Sequence, residues 1–125
     1  MKNLYIENCP AAWNKITIKH LLTHTSGLPA MGKGNTGALS LSPMEYIQII
    51  STQNITKQVA YEIVKTDTLD FQPGDRFSYS DTGYFLLGFI IDNISGSYRE
   101  FIQNRIFDPV GMKSSYILDR ISVNK

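Results

Sequence analysis

A chain of 125 residues is long enough to bury roughly two thirds of its unfolded surface and too short for two ordinary domains, so a single domain over residues 1–125 is expected. Hydrophobic residues at 42% against charged residues at 18% exclude a disordered chain. Twelve Lys plus Arg against eleven Asp plus Glu, scattered without runs, provide no basic stripe to track a phosphate backbone, which argues against a nucleic-acid partner.

In chain order, Ile16 to His24 is expected to form a short helix. Thr17 is placed to cap it, Ile18, Leu21 and Leu22 share a face, and Ser26-Gly27 before Pro29 ends it. Residues 30–41, with Gly32, Gly34 and Gly37, have neither apolar period nor bulk and read as an exposed loop of the kind that borders sites. Ser42-Pro43-Met44-Glu45 joins a capping serine, a first-turn proline and a glutamate three residues on, so a helix should run to Ile50 with Met44, Ile47 and Ile50 inward. From Asn54 to Val64 two periods compete. Val59, Tyr61 and Ile63 alternate like a strand while Thr56 could cap a helix, and the extended reading is preferred.

Phe71-Gln72-Pro73-Gly74-Asp75 is a turn by composition. Asp81 is then expected to cap a helix to about Ser95, ended by Gly96. Tyr84, Phe85, Leu86, Leu87, Phe89, Ile90, Ile91 and Ile94 make it apolar on nearly every side, which implies a central position. Ser97-Tyr98-Arg99-Glu100 is a second capping box, and the following helix should turn Phe101, Ile102, Ile106 and Phe107 inward before Asp108-Pro109 stops it. The expected fold class is mainly α, with short strands or extended segments.

Cys9 stands alone, which excludes an intrachain disulfide and a cysteine-rich zinc site. The longest apolar stretch, Tyr84 to Ile91, falls far short of the ~20 residues that span a bilayer. The first residues hold no apolar core of an export signal. His20 and His24 have the i, i+4 spacing of a zinc pair, but Leu21 stands where zincin helices place a glutamate. The favoured reading keeps one histidine packed and the other bonded to backbone at the helix C-terminus. Gly32 to Gly37 spells G-x-G-x-x-G without the strand or the later acidic residue of a dinucleotide site. Asn54-Ile55-Thr56 and Asn93-Ile94-Ser95 are formal glycan acceptors, and both are set aside, the second because an apolar helix has no room for a glycan. Ser122-Val123-Asn124-Lys125 matches S-x-x-K at a terminus, a poor scaffold for a nucleophile that must be held rigidly.

Ile16-Thr17-Ile18-Lys19-His20-Leu21-Leu22-Thr23-His24-Thr25-Ser26-Gly27-Leu28-Pro29 resembles the I-T-I-[KR]-H-L-L-T-H-T-S-G-[IL]-P signature of the serine β-lactamase-related family, which includes class C β-lactamases, DD-peptidases and related esterases. Phe71 to Gly96 resembles that family's F-x-P-G-x-x-F-x-Y-S-N stretch and the helix after it, and Ile106 to Met112 resembles its I-F-x-P-L-G-M. Three ordered matches, together with the segments between them, cover roughly Tyr5 to Ser115. In the family a serine of S-x-x-K attacks a carbonyl, the lysine and a tyrosine of Y-x-N move protons, and a [KH]-[ST]-G strand helps bind substrate. The resemblance implies that Tyr79 takes the tyrosine's place and Asp81 the asparagine's, with this stretch starting past the expected serine and ending before the third motif.

The fold so implied is the helical subdomain of the serine β-lactamase/DD-peptidase-like fold. The substrate implied is a β-lactam, a D-alanyl peptide or an ester, without cofactor or metal, at a bacterial cell envelope or secreted. A phenol accepts protons near neutrality only when cations favour its anion, and the Asp81 carboxylate beside it opposes that. Tyr79 in this chain alone should therefore be a poor base. An apolar face left open on such a subdomain predicts self-association. Two rivals remain: a noncatalytic binding or assembly module derived from the family, and a zinc protein using His20 and His24.

Overall fold

The computed structural model describes residues 6–31, 44 and 57–117, which fall into two compact units, Met1–Ile90 and Ile91–Lys125. In the first, a 3-10 turn over Ala11–Lys15 sinks Trp13 completely into the core. Helix α1 spans Ile18–Leu22, and Thr17 caps it as the sequence implies. The His20 amide donates to Thr17 Oγ1 and the Thr17 amide donates to His20 Nδ1, each at 3.3 Å. The helix is shorter than expected because the chain turns left-handed at His24, with φ 54°.

Beyond that turn, residues 24–27 run beside residues 70–78. The Asp70 amide donates to Gly27 O at 2.8 Å, the Gly74 amide to Thr25 O at 2.8 Å and the Ser78 amide to His24 O at 2.9 Å. The approach requires glycine at position 27, where φ is +78° and a Cβ would collide with the Phe71 carbonyl. The expected turn is present: the Asp75 amide donates to Gln72 O at 3.1 Å, with Gly74 at φ +95°.

Helix α2, Lys57–Val64, replaces the extended segment expected there. Its buried residues, Tyr61 and Val64, are three apart and so share a helical face. Tyr61 meets the Trp13 ring edge-on at 6.3 Å and stacks on Phe89 at 5.0 Å. Tertiary packing thus overrides the local alternation. The Tyr61 hydroxyl donates to Cys9 Sγ at 3.7 Å, and burial followed by that bond pushes its pKa above the ordinary phenol value.

Helix α3, Asp81–Ser95, has the expected limits and ends at Gly96, where φ is +82°. It is not buried all round. Thr82, Gly83, Leu86, Phe89 and Ile90 form one buried stripe, while Tyr84 and Ile94 are exposed. Gly83 admits the α1 backbone, for a Cβ there would lie 3.3 Å from Leu21 O. Burying Leu86, Phe89 and Ile90 stabilises the unit by about 1.5–3 kcal/mol each.

In the second unit, helix α4 spans Tyr98–Ile102, and Ser97 Oγ accepts the Glu100 amide at 3.2 Å. The Ser97 amide donates to Ser95 Oγ at 3.4 Å. A π-helical turn over Gln103–Phe107 follows, closed by the Asp108 amide on Gln103 O at 2.9 Å. Phe101, Ile102, Ile106 and Phe107, expected inward, are exposed or half-buried, and no residue of 91–117 is buried. Asn93, set aside for lying in an apolar helix, is in α3 at an exposed position.

Met44 is helical but 74% exposed, against the inward position expected of it. The rest of the helix expected from Ser42 to Ile50, the Gly32–Gly37 run, Asn54 and Ser122–Lys125 lie outside the described residues. Described residues are helical, turn or extended in conformation with no strand among them, and no helix among them is long and apolar enough to cross a membrane.

Candidate active-site wall

Tyr79 lies in the extended stretch between the 72–75 turn and α3, and 66% of its surface is exposed. Its hydroxyl makes no hydrogen bond among the described residues. What holds it is around it. The Ser78 amide donates to His24 O at 2.9 Å, and the Ser80 amide donates to His24 Nδ1 at 3.3 Å. The His24 imidazole lies 4.6 Å from the Tyr79 ring, stacks on Tyr84 at 5.1 Å and meets Phe77 edge-on at 5.8 Å. Tyr84 is pinned in turn, its hydroxyl donating to Leu22 O at 3.2 Å.

The next three residues clamp another loop. Ser80 Oγ and Thr82 Oγ1 both donate to Pro29 O, at 3.2 and 2.7 Å. Between them, Asp81 Oδ1 accepts the Met31 amide at 2.7 Å and the Thr82 amide at 3.0 Å. Asp81 therefore does more than start a helix: one carboxylate oxygen fastens a strand of loop 50 residues earlier in the chain. An asparagine could accept the same two bonds through its amide oxygen, leaving an NH2 group where Asp81 has Oδ2. Relative to asparagine, aspartate preserves the clamp and turns the second atom from a donor into an acceptor.

His20 and His24 do not share a helix face, because the left-handed residue at 24 takes the second ring off the helix. Each Nδ1 accepts a backbone amide, His20 from Thr17 at the helix start and His24 from Ser80. The sequence implies one packed histidine and one bonded to backbone at the helix C-terminus; both are half-buried, and each accepts a backbone amide. Tyr79 lies in the extended stretch before α3 and Asp81 is the first residue of that helix, whereas the contacts of His24, Tyr84 and the Met31 amide have no counterpart in the sequence reading. The available signal was His24 itself, directly before the Thr25-Ser26-Gly27 stop, where histidine tolerates the left-handed region better than most residues.

The Beta-lactamase family model matches residues 4–123. The chain belongs to the Beta-lactamase family. Among its relatives, penicillin-binding protein 4* of Bacillus subtilis (strain 168) is 37% identical over 107 residues, covering 84% of this chain and 22% of that protein. A putative D-alanyl-D-alanine carboxypeptidase of Escherichia coli (strain K12) is 33% identical over 104 residues, covering 79% of this chain and 21% of that protein. The crystal structure of a penicillin-binding protein from Bacillus halodurans superposes with a TM-score of 0.67 at 26% identity, covering 87% of this chain and 31% of that one. The chain thus spans about a fifth of the length of the curated relatives it matches. Within this Beta-lactamase-family chain the start of α3 clamps loop 29–31, and Tyr79 just before it is exposed.

Proposed function

We propose that this chain supplies the helical wall of the catalytic cleft in a penicillin-recognising serine hydrolase, with Tyr79 as the proton-transferring phenol. The observation that carries the reading is the presentation of Tyr79: the residue is two-thirds exposed and its hydroxyl bonds none of the described residues, while both flanking amides and its ring are held by His24. A group meant to exchange protons with a nucleophile needs both properties, access and fixed placement. The attacking serine comes from residues other than those described. The phenol takes the serine proton as the hydroxyl adds to a carbonyl, then returns it to the leaving group, and a neighbouring cation is required to favour the phenolate.

Asp81 acts in this reading first as the clamp on Met31 and second as an acceptor facing substrate, so the group opposite its Oδ2 must be an N–H or O–H donor. A β-lactam, a D-alanyl peptide or an ester fits the carbonyl chemistry, and the relatives' names, penicillin-binding protein and D-alanyl-D-alanine carboxypeptidase, support that range.

The test is acylation by a labelled penicillin in the intact hydrolase that carries this segment. Tyr79→Phe should slow it by about 10²- to 10⁴-fold, the ordinary reach of general acid–base catalysis. An unchanged rate would overturn the assignment. Covalent addition to the 125-residue chain by itself, seen by intact mass, would show that its own residues include the nucleophile. Reversible penicillin binding with no acylation of the intact protein would favour the noncatalytic module, for which the change of asparagine to Asp81 is the motivating feature.

A further inference from the structure

We propose that His24 is the positioning residue for Tyr79, fixing the peptide groups on both sides of the tyrosine and the placement of its ring. Its catalytic consequence rests on the proton-transfer role assigned to Tyr79; the positioning is carried by geometry alone.

Tyr79 is two-thirds exposed, so core packing does not immobilise it. A side chain in that state exchanges rotamers on the ps–ns timescale unless a fixed neighbour restrains it. His24 offers that restraint three times. Its carbonyl accepts the Ser78 amide at 2.9 Å, its Nδ1 accepts the Ser80 amide at 3.3 Å, and its ring lies 4.6 Å from the tyrosine ring at 37°. The two accepted amides bracket Tyr79, so the backbone on either side of it is tied to one residue.

His24 is itself well anchored. The Tyr84 ring stacks on it, and the Tyr84 hydroxyl is bonded to Leu22 O in α1. Restraint therefore passes from the α1 carbonyl through Tyr84 and His24 to Tyr79. The residue also holds an uncommon backbone conformation, φ 54°, which a non-glycine residue keeps only when its surroundings dictate it. Accepting the Ser80 amide requires Nδ1 to be unprotonated, so the neutral ring carries its proton on Nε2. No aliphatic residue could supply both an acceptor and a stacking plane, and asparagine could supply only the acceptor.

Two variants separate these contributions, followed by NMR of the Tyr79 ring and by amide exchange at Ser80. In His24→Ala the Tyr79 ring signals should move to those of a freely rotating tyrosine. Ser80 exchange should accelerate about five- to tenfold, as expected for one lost hydrogen bond, while the signals of Trp13 stay in place. His24→Asn tolerates the left-handed backbone and retains an acceptor but no stacking ring, so Ser80 protection should return while the Tyr79 ring signals stay shifted. Unchanged Tyr79 and Ser80 signals in both variants would overturn the proposal. Should the alanine variant lose its Trp13 signals by unfolding, the asparagine variant decides by itself, and an unmoved Tyr79 ring there is the overturning result.

In the intact hydrolase, His24→Ala should lower kcat with little change in KM, and should have no further effect once Tyr79→Phe is present. A full additional loss in the double variant would assign His24 a role independent of Tyr79 and contradict positioning. Turnover unaffected by Tyr79→Phe, with the ring shift of His24→Ala still observed, would remove the proposed function and leave the positioning intact.

Discussion

The two units carry apolar side chains at comparable helical spacing, yet they use them differently. In the first, Trp13, Leu21, Tyr61, Leu86 and Phe89 come from four separated stretches of chain and close on one another. In the second, Phe101, Ile102, Ile106 and Phe107 repeat at helical intervals, and none is buried. Periodicity specifies which face of an element is apolar. Whether that face is covered depends on what other polypeptide reaches it, which no local pattern encodes.

The contrast can be broken by mutation. Gly27→Ala and Leu86→Ala should each destabilise the first unit by about 3 kcal/mol or more, the former through collision with the Phe71 carbonyl at positive φ, the latter by leaving a cavity. Urea midpoints followed by Trp13 fluorescence check both, and a shift under about 1 kcal/mol would mean that the unit does not pack as described.

Asp81→Ala should cost about 1–3 kcal/mol by orphaning the Met31 and Thr82 amides, whereas Asp81→Asn should cost less than about 1 kcal/mol because an amide oxygen can accept both. Amide exchange at Met31 distinguishes them. A smaller effect comes from Tyr61. Its pKa is raised in the folded chain, chiefly by burial, so the unfolded chain releases the phenol proton first. Stability is therefore level below the unfolded value of about 10 and falls as pH rises above it. Tyr61→Phe should abolish that alkaline loss, measured as the difference in urea midpoint between about pH 8 and about pH 10.5.

Ile106→Ala, at a residue 47% exposed, should change stability by no more than about 0.5 kcal/mol. Ile106→Ser should still reduce self-association, because exposed apolar surface is what drives it. Light scattering of the unmodified chain as a monomer at high concentration would remove the premise.

Legibility followed the range of the interaction. Thr17 and Ser97 were readable as caps because each acts within three residues. The 72–75 turn and the Gly96 stop were readable for the same reason. Helix α2 was misread because Val59, Tyr61 and Ile63 satisfy a two-residue period locally, while Tyr61 is committed by Trp13 and Phe89, rings 48 and 28 positions away in the chain. Helix α3 was placed correctly in sequence, but its buried stripe was not distinguishable among so many apolar residues until α1 lay against Gly83.

The same division applies to the candidate site. Sequence alone singled out Tyr79 and Asp81 as the candidate chemistry-bearing pair and expected a helix to begin at Asp81, since motif and helix start are both local. Only the tertiary structure decided what each is tied to: Asp81 to the Met31 amide, and Tyr79 to His24 through the amides on either side of it. Those partners lie 50 or more positions apart, and a hydrogen bond between distant residues exists only after packing has brought its donor and acceptor within about 3 Å.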